Sequence, residues 1–163
     1  MKPSPGGRAG ELIRTLGLAP HPEGGHYREV FRSLHSVTPD DARGRRSALT
    51  TIDFLLVAGE FSAWHRVRSD EVWHLLEGDG LRLWLMPPDL SGIESIELGM
   101  TSGRRRHVVP ADWWQAAEPT GDFAYVGATV GPGFDFADFD FGRDQAALRE
   151  ALARTQPPLT RLL

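Results

Sequence analysis

The sequence predicts an all-β domain built as a jelly-roll barrel, with one short helix near each end of the chain. Runs of alternating or continuously apolar residues recur at short spacing, and each run is short enough to be a strand. Eighteen glycines and twelve prolines provide the turns between these runs. Roughly eight or more short strands without intervening helices favour a barrel over a parallel sheet with crossover helices.

The first helix is predicted at Glu11–Leu16, because its apolar residues share one face and Gly17 follows as a terminating residue. Residues 1–10 are rich in proline and glycine and are predicted to be a flexible tail. Residues 11–163 then form a single domain, since a chain of this length holds one core. The second helix is predicted to begin after Asp144.

Strand patterns fill the chain between the two helices. The predicted strands are 26–31, 48–57, two within 59–78, 81–86, 95–100, 107–110, 113–117 and 123–130. The polar stretch 33–46 is predicted to be a surface loop. Residues 134–141 alternate phenylalanine with acidic residues, which predicts a capping strand whose carboxylates stay in water. Alternation in the first strand leaves two possible inward sets: Tyr27, Glu29 and Phe31, or His26, Arg28 and Val30.

Two features predict a homodimer formed through a sheet face. Strand 48–57 is apolar on both faces, which suits a sheet that is covered on both sides. Trp113 and Trp114 are adjacent, so one of them points out of the barrel and needs a cover. Asp53 interrupts the apolar strand, and a buried carboxylate needs a partner. Asp53 is therefore predicted either to face the cavity, where it would bind ligand, or to pair with an arginine.

Composition excludes several classes of partner. A formal net charge of -4 argues against nucleic acid, because binding phosphates needs a basic face. The basic clusters at 43–46 and 104–107 contain no aromatic residue for base stacking and are interpreted as solvated loops. No apolar run reaches membrane-spanning length. The chain has no cysteine and no apolar leader after Met1, which together predict a cytoplasmic location.

The stretch 59–78 carries the strongest pattern in the chain. Read with the two-residue period of a strand, His65 shares a face with its neighbours at 63 and 67. Glu71 likewise shares a face with Trp73 on the next strand. The polar turn at 68–70 predicts that His65 and Glu71 face each other across an antiparallel pair.

These residues resemble the first motif of the cupin superfamily, G-x5-H-x-H-x3-E-x6-G. Gly59, His65, Glu71 and Gly78 match it in register, while Val67 replaces the second histidine that metal-dependent members use as a ligand. A second cupin motif is matched in its later part, with its histidine replaced by glutamine at 115. The segments PHPEGGHYRE, SDEVWH and VGATVGPGFDF are similar to one family of small bacterial and fungal cupins that has known structures but no agreed activity. The resemblance implies a double-stranded β-helix.

The possible metal ligands at the motif positions predict a cavity that holds neither a functional metal nor another cofactor. A metal site needs three or four converging imidazole and carboxylate ligands, and the motif positions offer His65 and Glu71 with Gln115 as a weak amide ligand. Two-residue periodicity places His74 on the opposite face from Glu71. A site with two histidines stays open if the loop carrying His26 or His107 folds inward.

An imidazole and a carboxylate in an aromatic-lined barrel predict acid/base chemistry next to a carbonyl. Cupins that work without metal include the sugar-nucleotide 3,5-epimerases of rhamnose biosynthesis, in which a histidine removes a proton and a tyrosine returns one. By that resemblance His65 is the base, Glu71 orients it, and a tyrosine, with Tyr125 as the candidate, is the acid. The substrate implied is a sugar or a sugar-like carbonyl compound.

The remaining candidates are predicted to bind ligand. Trp73 shares a face with Glu71 and is predicted to stack on a sugar or another ring. Tyr27 and Glu23 are placed at the rim of the barrel, and Gln115 inside it. Two alternatives stay open. A non-catalytic carbohydrate-binding protein would keep the cavity without turnover, and a metal-dependent oxygenase or decarboxylase would need a bound ion.

Overall fold

A computed structural model describes residues 7–163, and these residues form two antiparallel sheets packed face to face. The strands are β1 (Ala19–Pro20), β2 (His26–Arg32), β3 (Ser36–Val37), β4 (Arg46–Ser47), β5 (Thr50–Val57), β6 (Ser62–Val67), β7 (Asp70–Gly78), β8 (Gly80–Met86), β9 (Glu94–Gly99), β10 (Arg106–Val109), β11 (Trp114–Pro119), β12 (Phe123–Gly131) and β13 (Phe139–Phe141). The helices are α1 (Arg8–Leu16) and α2 (Ala146–Thr155), with 3-10 turns at Phe136–Asp138, Gly142–Asp144 and Pro157–Leu162.

One sheet has six strands in the order β1-β2-β5-β12-β7-β10, and the other has five in the order β13-β6-β11-β8-β9. The short pair β3-β4 stands apart from both. This is the predicted all-β jelly roll with a short helix near each end. No helix within residues 7–163 is long and apolar enough to cross a membrane.

Helix α1 begins at Arg8, three residues before its predicted start. The Arg8 side chain donates hydrogen bonds to Glu77 on β7 and to Glu11 one turn along the helix, which ties this first turn to the barrel. Residues 8–10, predicted as the end of a flexible tail, are therefore helical. The rest of that predicted tail, residues 1–6, lies outside the described part of the chain.

The predicted pairing of the two motif strands is wrong. Strand β6 pairs with β11 and β13, whereas β7 pairs with β12 and β10, so the turn between them crosses from one sheet to the other. The turn is held by backbone bonds from Arg68 to Asp138 and from Asp112 to Val67. His65 and Glu71 consequently approach from opposite walls of the barrel.

Both outer surfaces that suggested a dimer contact are covered within the chain. Phe54 and Leu56 of β5 belong to the core between the sheets, while Leu55 and Val57 pack with α1 on the outside. Trp114 is 3% exposed and packs with α2 and the final 3-10 turn. A homodimer remains a prediction, but neither feature requires one.

The predicted surface loop 33–46 is tied to the barrel by a buried ion cluster. Asp138 is 2% exposed and accepts hydrogen bonds from Arg46 at 2.8 Å and from Arg43 at 3.2 Å. The predicted solvation of the carboxylates in 134–141 is therefore wrong at this position, because two arginines replace water there. This cluster fixes the segment that carries Phe134, Phe136 and Phe139.

Candidate active site

A cavity of about 570 Å³ opens between the two sheets at the end where the β1–β2 loop meets segment 134–139. Its buried polar groups come from four places: Glu23 from the loop, Thr50 from β5, His65 from β6 and Glu71 from β7. Tyr27 on β2 also lines it. Tyr27 and Glu29 lie across from Phe54 and Ile52, which face the core, so these two residues of β2 point inward. A β-bulge after Glu29 then ends the regular alternation.

His65 is 2% exposed and its tautomer follows from its contacts. Its Nδ1 lies 2.7 Å from the carbonyl oxygen of Ala63, which only accepts, so Nδ1 carries a proton. In the neutral ring Nε2 is then a free acceptor. Nε2 lies 3.3 Å from Oε2 of Glu23 and faces that carboxyl group.

Glu23 is the carboxyl group in contact with His65. Its Oε1 accepts a hydrogen bond from Ser62 Oγ at 2.7 Å. Burial raises the pKa of Glu23 and lowers the pKa of His65, because each charged form loses its water. Both shifts favour a neutral pair in which protonated Glu23 Oε2 faces the lone pair of His65 Nε2. A proton between Oε2 and Nε2 would satisfy both of these acceptors.

The loop that delivers Glu23 depends on two glycines. Gly24 has φ +110°, and a Cβ there would lie 2.1 Å from the carbonyl oxygen of Phe61. Gly25 has φ +72° and lies against Leu56 and the backbone of Leu55. Only glycine accepts both the positive φ and the close approach. The backbone N–H of Ala63 completes the anchor by donating to the carbonyl oxygen of Glu23.

Glu71 faces the same cavity from the opposite sheet. Burial is the main cause that raises its pKa to about 7; the neighbouring Glu23 adds to the shift, and His65 and Gln115 oppose it. Gln115 Nε2 donates to Glu71 Oε2 at 2.6 Å. The amide cannot flip, because its Oε1 accepts from Trp73 Nε1 at 2.9 Å and an indole only donates. A carboxyl group with this pKa is partly ionised near neutral pH.

The structure brings four of the predicted site residues to the cavity: Glu23, Tyr27, His65 and Glu71. The predicted role of Glu71 as the group that orients His65 is corrected, since Glu23 and Ala63 make the contacts with that ring.

Gln115 and Trp73 lie behind Glu71 and are each 1% exposed. Trp73 packs against Phe54 in the core rather than lining the cavity, so it is not placed to stack on a ligand. Both side chains act on Glu71 instead of on a ligand.

Tyr125 and Asp53 are corrected as well. On β12 the residues at 124, 126, 128 and 130 are buried inward, which places Tyr125 on the outer face beside α1. There Tyr125 hydrogen-bonds to Asp53, and burial together with this carboxylate raises its pKa to about 12. Asp53 therefore has a tyrosine partner on the outer face of the sheet and does not line the cavity. Tyr125 cannot act as the acid because the sheet separates it from His65.

Sequence reasoning missed several cavity residues, among them His21 and Phe139. His21 lines the cavity, accepts a hydrogen bond on Nδ1 from the backbone N–H of Glu23 at 3.1 Å, and packs edge-on against Tyr27. Burial lowers the pKa of His21. Phe139 stacks on His65 with ring centroids 5.2 Å apart and planes at 14°. The prolines that flank His21 in a rigid loop were the available signal for it; Phe139 was interpreted as part of a capping strand.

The residues do not fit the metal that metal-dependent cupins hold. Within residues 7–163 no group of three or more histidine, aspartate or glutamate side chains is arranged around a common metal position. Val67 offers no donor, and both ends of the Gln115 amide are already bound to Glu71 and Trp73. The buried acid and base side chains that line the cavity are His21, Glu23, His65 and Glu71.

An antiparallel barrel with these motif residues in its cavity defines the protein as a cupin. The chain belongs to the family described as Cupin superfamily (DUF985), whose family model matches residues 10–142. No curated protein matches the sequence.

Two solved structures are similar over nearly their whole length. A hypothetical protein from Leishmania major is 30% identical, with a TM-score of 0.80 over 96% of each chain. A protein from Shewanella oneidensis is 31% identical, with a TM-score of 0.75 over 93% of this chain and 92% of that one. Oxalate decarboxylase from Bacillus subtilis is 14% identical, with a TM-score of 0.58 over 88% of this chain and 36% of that one. This last likeness shows the fold alone.

Proposed function

We propose that the protein is an isomerase-type enzyme that moves a proton next to the carbonyl group of a small α-hydroxy carbonyl compound, the group that sugars share. The observation that carries the proposal is the pairing, across one cavity, of Glu71 with a pKa of about 7 and the Glu23–His65 pair that holds one proton. The absence of cysteine supports a cytoplasmic location for this activity.

The roles follow from the protonation states. Ionised Glu71 removes the proton from the carbon beside the carbonyl, and the electrons of that C–H bond form the C=C bond of an enediol. The carbonyl oxygen receives the proton that Glu23 and His65 hold between Oε2 and Nε2. The pair then takes the proton of the other enediol hydroxyl, and Glu71 delivers its proton to the former carbonyl carbon, so that the carbonyl group moves to the neighbouring carbon. Protons and electrons balance, and the protein ends in its starting state.

Gln115 and Trp73 position the base. The hydrogen bond from Gln115 Nε2 holds Oε2 of Glu71 in the barrel wall and fixes the orientation of the carboxyl group. A base that is already held in the reactive orientation loses less entropy in the transition state. This effect supplies a large part of the rate acceleration in enzymes. The His65 ring is held in the same way by Ala63 on one edge and by Phe139 on its face.

The test is proton exchange with solvent. Hydroxyacetone, D-fructose and D-mannose are incubated with the protein in heavy water, and loss of the NMR signal of the proton beside the carbonyl is followed. We expect exchange with wild type, and a loss of at least about 100-fold in Glu71→Gln and His65→Ala because each removes one partner of the transfer. Glu29→Gln is the matched control, since Glu29 lines the cavity but is exposed and paired with Arg32.

Two results would count against the enzyme. Exchange in wild type that equals exchange in Glu71→Gln would remove the assigned base. Binding of these compounds without any exchange would favour the alternative, a protein that binds carbohydrate-like ligands without turnover.

A further inference from the structure

The geometry points to a more specific ligand: a compound whose α-hydroxy carbonyl end reaches Glu23, His65 and Glu71 and whose remaining body is an apolar ring. The reactive end of this ligand rests on the proposed function. The ring is inferred independently, from the walls of the cavity and from the hydrogen bonds that its rim already makes.

The walls around the buried polar groups are apolar. Val67 lies two residues from His65 on the same face of β6 and is 4% exposed. Val130 is the direct cross-strand partner of Glu71 and is 5% exposed. Ile52 and Ala128 continue this lining away from the polar end. A ligand therefore meets polar groups at one end of the cavity and aliphatic surface along its sides.

Charged groups at the rim already have partners in the protein. Arg32 donates to both carboxylate oxygens of Glu29 at 2.8 Å and to the carbonyl oxygen of Phe134 at 3.0 Å. Asp135 accepts from the backbone N–H of Ala137 at 2.9 Å, and Arg28 donates to the carbonyl oxygen of Leu16 at 3.1 Å. The hydroxyls of a polyol body that face the aliphatic walls would lose water there without a new hydrogen bond, which is unfavourable.

An aromatic wall faces the space that the ring would fill. Phe134, Phe136 and Phe139 all line the cavity and pack edge to face on one another. Phe139 also lies parallel to the His65 ring, so the aromatic wall continues directly from the reactive end. Phe136 is 57% exposed at the mouth, where a bound ring would cover it.

The test uses two compounds that share one reactive group. 2-Hydroxyacetophenone and hydroxyacetone carry the same CO–CH2OH unit and differ in a phenyl ring against a methyl group. We expect 2-hydroxyacetophenone to bind at least about tenfold more tightly by NMR titration, because burial of its ring removes apolar surface from water. Phe136→Ser should abolish most of this preference. Phe31→Ser is the matched control, since Phe31 is 51% exposed but lies outside the cavity lining.

Binding and exchange separate this inference from the proposed function. Equal affinity for the two compounds, or tighter binding of D-fructose, would overturn the inference that the ligand carries an apolar ring. It would not affect the proposed proton exchange by Glu71. A preference for 2-hydroxyacetophenone that vanishes in Phe136→Ser would support the ring even if no deuterium enters, and the absence of deuterium would then overturn the proposed proton transfer. A preference that survives in Phe136→Ser and falls in Phe31→Ser would place the ring elsewhere and overturn the inference.

Discussion

Glu71 shows how much of the chemistry is decided by the surroundings of a single side chain. The carboxyl group is buried, and this loss of water is the main reason that its pKa rises to about 7. Gln115 acts in the opposite direction by donating to the ionised form. The result of these opposing effects is a carboxyl group that is about half ionised near pH 7.

The raised pKa of Glu71 should also make the folding stability depend on pH. The pKa of Glu71 is raised in the folded protein, so the folded state binds the proton more tightly than the unfolded chain does. The stability that this protonation contributes is present below pH 4.5 and is lost as pH rises to about 7. Between pH 4 and pH 8 wild type should therefore lose up to about 3 kcal/mol more folding stability than Glu71→Gln does. Urea unfolding of both proteins at the two pH values measures this difference, and parallel pH dependence would contradict it.

Gln115→Leu should move the pKa of Glu71 further upward. The variant removes the donor at 2.6 Å and leaves burial unopposed by that hydrogen bond. The exchange rate measured against pH should then rise at a higher pH than in wild type and reach a lower plateau, because the carboxyl group also loses its fixed orientation. Trp73→Phe should shift the profile in the same direction but less, since it only frees the amide to flip. If the midpoint of the pH profile is unchanged in Gln115→Leu, the hydrogen bond from Gln115 does not influence the pKa of Glu71.

At the scale of elements, the short β1–β2 loop decides whether Glu23 reaches His65. It carries His21 and Glu23 into the cavity, and its path requires positive φ at Gly24 and Gly25. Motif spacing within β6 and β7 says nothing about this loop, which is distant in sequence from His65.

Gly24→Ala should displace Glu23 and destabilise the protein. The added Cβ would meet a backbone oxygen at 2.1 Å, and backbone yields less readily than a side chain. We expect a loss of more than about 1 kcal/mol in stability and most of the exchange activity. Gly92→Ala is the matched control, because its Cβ would meet nothing within 4 Å. Wild-type activity in Gly24→Ala would mean that the loop is not needed in this conformation.

At the scale of the whole molecule, the outer face of the six-stranded sheet is covered unevenly. Helix α1 covers β5, but Leu76 on β7 and Val108 on β10 are each 51% exposed. Exposed aliphatic side chains on a flat sheet face are typical of a contact surface. This face therefore replaces β5 and the Trp113–Trp114 pair as the place where a second copy is expected to dock.

Light scattering on the purified protein should give the mass of a dimer at micromolar concentration. Leu76→Glu should shift it to a monomer, because a charge buried in an apolar contact is unfavourable. Met100→Glu is the control, since Met100 is exposed but lies beyond the end of β9 in the other sheet. A monomeric wild type would remove the predicted homodimer.

The fold followed from patterns that are local in sequence. Strand periodicity, turn residues and the motif spacing from Gly59 to Gly78 depend on neighbours along the chain, and they predicted the barrel, its terminal helices and the inward faces of His65 and Glu71. Glu23 and Tyr27 were also placed near the cavity, because a rigid loop with prolines and glycines leads into the first strand of the barrel.

Contacts between distant segments were decided by the tertiary structure alone. The pairing of β6 and β7 with different sheets, the contact of Glu23 with His65, and the position of Tyr125 on the outer face all depend on which strands become neighbours. Local periodicity states that residues alternate between two faces, but the face that becomes the interior is chosen by packing across the barrel. Burial, which raises the pKa of Glu71 and of Glu23, exists only once both sheets and the loop have closed around them.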